Sequence, residues 1–244
     1  MDKLVEGTLL NGLVPLVVME FPGITVGGGF SGTSGESSSF RYGFFDRAVN
    51  RIEVVLPNGE KVTASRSEKS DLFRGAAAAF GTLGVVTLLE VQLMEAKKSV
   101  VYNIPTEFYI HAGRRTAHAT EPIVDFIQLV DYIFRYDRGG FWVGKYAFKY
   151  FIIPFNRISR YFLDRFMHTR VMCHALHQSG HSRRYIIQDV AVPYQAADEF
   201  LQWLHDNFGF YPLWLCHCDS VANMLSLHTA YSLTRPTPTL PNIL

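Results

Sequence analysis

The apolar and polar positions of this chain change period several times. Residues 52–56, Ile52-Glu53-Val54-Val55-Leu56, have the β-branched, half-alternating pattern of a strand. Pro57-Asn58-Gly59-Glu60 is a turn, and Lys61-Val62-Thr63-Ala64 is the returning strand. An Asn-Gly pair between β-branched runs predicts a hairpin, because hairpin turns need positive φ that Asn and Gly tolerate. Ser70 is placed as the cap of a short helix running through Asp71, Leu72 and Phe73 into Ala76–Ala79 and ended by Gly81. "VVTLLEVQL", Val85 to Leu93, reads as one mostly buried strand. Strand, hairpin, helix and strand in that order give an α+β class, and residues 1–99 form its first unit.

Residues 100–125 are polar and irregular, a connector. Residues 126–218 form a second, cap-like α+β region, aromatic and dotted with Arg. Tyr185 to Val192 is predicted as a strand, followed by Pro193 and an amphipathic helix over Ala196–Phe208. Phe200, Leu201, Leu204 and Phe208 share one face of that helix, and Gly209 stops it. Residues 219–244 show little periodicity, end in "TRPTPTLPNIL" and are expected to be a disordered tail.

Composition narrows the function classes. The chain has 244 residues, 48% hydrophobic and 18% charged, with a net charge of +1. That is a globular composition and makes no case for nucleic-acid binding. Three cysteines, Cys173, Cys216 and Cys218, are too few for a disulfide framework and favour a reducing compartment. The apolar run Leu9–Met19 is broken by Asn11, Gly12 and Pro15 and is shorter than the ~20 residues of a membrane span.

Candidate chemistry concentrates in "TVGGGFSGTSGESSSFRYG", Thr25 to Gly43. Glycine permits close approach of backbone to a ligand, and successive inward N–H groups make a nest for phosphate oxygens. Ser31, Thr33, Ser34, Ser37 and Ser38 add neutral donors, and the stretch has no Lys. An ordered loop holding a pyrophosphate by amides and hydroxyls fits this set better than a triphosphate site, which wants Lys and a metal. A structural glycine-rich turn is the alternative. G-x-G-x-x-G is met only roughly, and a P-loop is absent.

"PGITVGGGFSGTSGESSSFRYGFF", then a hairpin, then "SDLFRGAAAAFGTLGVVTLLEVQL", resembles the second half of the PCMH-type FAD-binding domain of the vanillyl-alcohol-oxidase superfamily. "GESSS", "YDRGGFWVG" (Tyr136–Gly144), "DVAVP" (Asp189–Pro193) and "YPLWLC" (Tyr211–Cys216) resemble the Δ24-sterol reductases within it. The likeness runs over most of residues 1–216. It implies FAD as cofactor, reduction of a sterol side-chain double bond, NADPH as electron source, and an endoplasmic reticulum membrane setting. Carried over by position, the FAD-binding residues would be Thr25, Val26, Gly27, Gly28, Gly29, Phe30, Ser31, Gly32, Thr33, Ser34, Gly35, Glu36 and Ser37, with Gly81, Gly84 and Val85. FAD is expected to be non-covalent, because residues 25–99 hold no His or Cys. The family's first half-domain is expected to be missing, and with it much of the activity. A non-catalytic chain that binds membrane or a partner, and a sugar-lactone or alcohol oxidase of the same superfamily, are the competing readings.

Two other constellations compete for a role. Cys173, His174, His177 and His181, with Cys216, His217 and Cys218, lack a paired C-x-x-C and read as surface residues, with no metal. Phe141–Phe166 mixes aromatics with Lys145, Lys149, Arg157, Arg160 and Arg165. It reads equally as a peripheral membrane contact or as a core segment with a solvated basic side. No catalytic residue is assigned. Hydride delivery to an isolated alkene needs a proton donor, and Tyr136, Asp137 and Arg138 as a group are as readily packing residues.

Overall fold

The computed structural model describes residues 1–32, 34–96, 114, 117–118, 120–121, 124, 126–137, 143–209, 213–217 and 224–232. The α+β class is as expected, with three small antiparallel sheets and short helices. The first sheet has the order β3-β2-β4, built from β2 (Val49–Val55), β3 (Lys61–Ser65) and β4 (Val85–Val91). The predicted hairpin is present: Val55 pairs with Lys61, and Gly59 sits at φ 82° in the turn. Val49, Ile52 and Val54 are all fully buried although period 2 would not align them. A register shift between Val49 and Arg51 inserts one residue and returns Val49 to the core face.

Behind that face, α1 (Asp2–Leu9) sends Val5 into the core, and α2 (Val26–Ser31) sends Phe30. α4 (Ser70–Ala76) adds Phe73 and Ala76. β1 (Leu13–Pro15) pairs with β5 (Leu93–Glu95) as a separate two-stranded ribbon. α3 (Ser39–Tyr42) follows α2.

Four expectations are corrected. The glycine stretch is not a loop throughout: Val26–Ser31 is a helical turn, because Thr25 caps it and Phe30 anchors it in the core. Ser70 is the first helical residue rather than the cap. Lys69, in the left-handed region at φ 47°, holds the cap position, and the helix ends at Ala76. Val85–Leu93 is not one mostly buried strand. It splits between two sheets after Val91, and its outer face is uncovered, with Val85 66% and Leu88 50% exposed. β4 is an edge strand, so only Val86, Leu89 and Val91 reach the core. Finally, the expected tail contains a strand, β8 (Met224–Ser232), whose alternation of Leu225, Leu227, Thr229 and Tyr231 with smaller or polar residues has period 2. Residues 233–244 lie outside the described residues.

The second region begins with α5 (Leu129–Ile133), α6 (Val143–Tyr150), α7 (Arg157–Leu163) and α8 (Thr169–Gln178). Asn156 caps α7 through a capping box with Ser159. The third sheet has the order β6-β8-β7, from β6 (Tyr185–Pro193), β7 (Trp214–His217) and β8. The predicted strand is β6, and the predicted helix is α9 (Tyr194–Asn207), packed on β6 and β8. Phe200, Leu201, Leu204 and Phe208 are half-buried while residues 202, 203 and 205–207 are exposed, so the amphipathic face holds. β7 lies against α3, which brings this sheet beside the glycine stretch.

Candidate functional site

Thr25 starts the site. Its Oγ1 accepts the Gly28 N–H at 3.0 Å, satisfying one of the donors that a helix start leaves free. Val26 opens α2 and packs on the core. The glycines that follow differ in the reason for their smallness. A Cβ on Gly29 would lie 2.2 Å from the Met19 methyl, and one on Gly28 would lie 2.9 Å from Thr25 Oγ1. A Cβ on Gly27 would meet nothing within 4 Å, so the fold itself does not require glycine there. Gly32 closes the helix with its N–H on the Gly28 carbonyl at 2.8 Å.

Beyond the helix the chain is pinned by its own core. Ser34 N–H bonds the Gly29 carbonyl at 3.0 Å, and the Ser34 carbonyl accepts from Phe45 N–H at 3.1 Å. A Cβ on Gly35 would meet the Phe44 ring at 2.8 Å. Glu36 is buried: its carboxylate accepts the Glu20 N–H at 3.3 Å, and its N–H donates to Ser39 Oγ at 2.9 Å. Phe30 is fully buried, its ring centroid 6.1 Å from that of Phe73. Glu36 and Phe30 thus face the interior. Thr33 lies outside the described residues.

The second predicted piece docks on the first. Ala78 N–H donates to the Phe30 carbonyl at 3.3 Å and Phe80 N–H to the Ser31 carbonyl at 3.0 Å. These bonds reach the last carbonyls of α2, and they place the turn 77–84 on the glycine helix. Ala78 and Phe80 both take left-handed φ, 61° and 50°, which costs a non-glycine residue about 1–2 kcal/mol. Strain of this kind, held by the surrounding structure, collects at binding sites. Gly81 also has positive φ, 77°, and a Cβ there would meet only the Gly84 carbonyl oxygen, at 4.0 Å. Gly84 is required by the fold, since a Cβ there would lie 2.6 Å from the Val55 carbonyl oxygen. Phe80, Leu83 and Val85 are exposed apolar side chains along this turn.

An unpredicted cluster closes the far end. Arg135, just after α5, reaches Ser37 Oγ at 2.7 Å and Glu20 Oε1 at 2.9 Å. Its guanidinium also stacks 4.5 Å and 4.6 Å from the Tyr132 and Tyr136 ring centres. Both charged side chains are buried, and Glu20 Oε2 has no hydrogen-bond partner among the described residues. Burial pushes the Glu20 carboxyl up from its ordinary value, against the pull of Arg135 and Ser37. Arg135 therefore ties the end of the glycine stretch to the second region. Its sequence signal is a lone Arg inside the aromatic "DYIFRYD".

Tyr136 stacks under that guanidinium, and Asp137 reaches the start of α8 from outside the helix. The Asp137 carboxylate bonds Thr169 Oγ1 at 2.7 Å and His168 Nδ1 at 2.6 Å. Arg138 lies outside the described residues. No group of three or more His, Cys, Asp or Glu side chains converges among the described residues, and Cys218 lies outside them.

No family model matches the chain. The Delta(24)-sterol reductase of Arabidopsis thaliana is 28% identical over 88% of this chain and 51% of its own length. The Homo sapiens Delta(24)-sterol reductase is 26% identical over 82% of this chain and 50% of its own. Among solved structures, 6-hydroxy-D-nicotine oxidase from Arthrobacter nicotinovorans aligns over 41% of this chain and 22% of its own, at 24% identity and a TM-score of 0.38. The likeness read from the sequence has a counterpart in these comparisons: the chain is similar to the Delta(24)-sterol reductases over 82–88% of its own length and spans about half of theirs.

Proposed function

We propose that this chain is the part of a flavin-dependent sterol side-chain reductase that holds one side of FAD, with residues 1–99 belonging to a PCMH-type FAD-binding domain. The observation that carries the reading is the docking of the turn 77–84 onto the glycine helix through the Phe30 and Ser31 carbonyls. The residues present fit a flavin nucleotide: Gly27 and Gly81 leave backbone open to close approach, and Phe80, Leu83 and Val85 supply exposed apolar surface. Ser31 and Ser34 would supply hydroxyls to the pyrophosphate. FAD, when bound, supplies the hydride for the alkene, and NADPH is the proposed source of electrons.

The chain's own residues bind and orient. Arg135 fixes Ser37 and so the end of the glycine stretch, while Asp137 fixes the start of α8. A peripheral membrane contact at the endoplasmic reticulum belongs to the same reading. Phe151, Ile152, Ile158, Tyr161 and Phe162 are exposed beside Lys149, Arg157 and Arg160, and aromatics with basic residues suit the headgroup zone. Among the described residues no helix is long and apolar enough to cross a membrane.

The test is a titration of the purified chain with FAD, followed by flavin fluorescence, and acid precipitation of the complex. Saturable binding with yellow colour released to the supernatant is expected. No binding refutes a flavin site, and colour kept in the pellet refutes non-covalent attachment. Turnover is read by mass spectrometry of a Δ24-unsaturated sterol incubated with chain, FAD and NADPH.

A further inference from the structure

The second region encloses a cavity of about 510 Å³ between α6, α8 and the segment joining them. Phe148, Met167 and Met172 are buried on its wall, and Ile153, Leu163 and Leu176 continue it. Its volume falls within the range of small-molecule sites, and no Lys or Arg lines it. At one end stands His181, its ring 4.6 Å from and nearly perpendicular to that of Tyr150. Both imidazole nitrogens are buried without a hydrogen-bond partner among the described residues. A neutral imidazole carries one donor and one acceptor, and native structures seldom leave both unmade. Phe151 and Phe166 line the cavity and are also exposed on the surface, so its mouth opens among the exposed aromatics.

We propose that this cavity binds a largely apolar molecule bearing a single hydroxyl, with His181 as the polar anchor. The apolar wall takes the hydrocarbon. A hydroxyl, able to donate and accept, matches either ring nitrogen whichever tautomer is present. A carboxylate would enter without a Lys or Arg to pair it, which disfavours fatty-acid anions. Two sources share this chemistry, a fused-ring alcohol and a linear long-chain alcohol. Binding itself is independent of flavin, but a ring alcohol as occupant would deepen, and rest on, the reductase reading above.

The experiment uses the full chain without FAD. Radiolabelled cholesterol, 1-hexadecanol, their hydroxyl-free counterparts cholestane and hexadecane, and palmitate are each measured for retention with the protein on a desalting column. At least one alcohol is expected to bind tenfold or more tightly than its hydroxyl-free counterpart, and more tightly than palmitate. Preference for cholesterol identifies the ring source, and preference for hexadecanol the linear one. His181→Phe is expected to erase the alcohol preference while keeping hydrocarbon binding. Ala175→Trp is expected to weaken every ligand at least tenfold, with circular dichroism checking that the variant is folded. The proposal is overturned if neither alcohol binds, if palmitate binds best, or if His181→Phe keeps the preference. Because FAD binding is titrated separately, loss of one site leaves the other readable.

Discussion

Gly27 and Gly29 stand two positions apart in one helical turn and are glycine for different reasons. Gly29 has no room for a methyl group beside Met19, whereas Gly27 faces open space. Gly27→Ala should therefore stabilise the fold, by up to about 1 kcal/mol from helix propensity, while weakening FAD binding. Gly29→Ala should destabilise it. Urea unfolding and flavin titration of the two variants separate the effects, and equal FAD affinity in Gly27→Ala would remove Gly27 from the site. At Arg135 the issue is charge. Arg135→Ala leaves the Glu20 carboxyl buried without its partner and should cost about 3 kcal/mol at pH 7. The cost should shrink in acid as Glu20 takes up a proton. Because burial raises Glu20 in the folded state, the fold holds that proton more tightly than the unfolded chain does. Stability from this source is full below the ordinary glutamate value of 4.5 and lost as pH rises through the raised one. Urea midpoints at stepped pH should show this loss in the parent chain and not in Glu20→Gln. Glycine spacing in the sequence exposed the stretch, but not which glycines serve the core, since that depends on Met19 and Val55 arriving from elsewhere. Arg135 was equally hidden, because its partners lie 115 and 98 residues away.

At the scale of elements, local signals were the legible ones. The Asn-Gly hairpin, β6 and α9 follow from alternation, turn chemistry and an amphipathic stripe, each set by neighbours in sequence. What escaped was set by neighbours in space. The burial of β4 depends on a covering layer, and its sequence alone suits either side of an edge. β8 was hidden because a short alternating segment next to a Pro-rich end reads as tail, although it is the middle strand of its sheet. Leu227 pairs with Val190 on one side and Leu215 on the other. Leu227→Pro removes a ladder donor and should therefore loosen both neighbours. Hydrogen exchange is expected to show lost protection in β6 and β7 with the β2–β3 hairpin unchanged. Protection retained in β6 would show that the sheet does not depend on its centre.

For the whole molecule, the exposed aromatic and basic surface around α7 predicts attachment to anionic vesicles. Co-sedimentation should be stronger with anionic than with neutral lipid and should fall with salt. Ile152→Asp with Phe162→Asp should reduce it several-fold without changing FAD affinity. Unchanged sedimentation would assign this surface to another use. Arg135 also has a consequence in time. Glu20 leaves the ribosome 115 residues before its partner. At ordinary synthesis rates of about 5–20 residues per second, that is a wait of roughly 6–23 s. The first sheet, whose strands end at Val91, can assemble during that wait. Arg135 is thus unavailable to pair with Glu20 while the β2–β3–β4 sheet forms. The arrival of Arg135 then ties Glu20 and Ser37 to the second region in one late step.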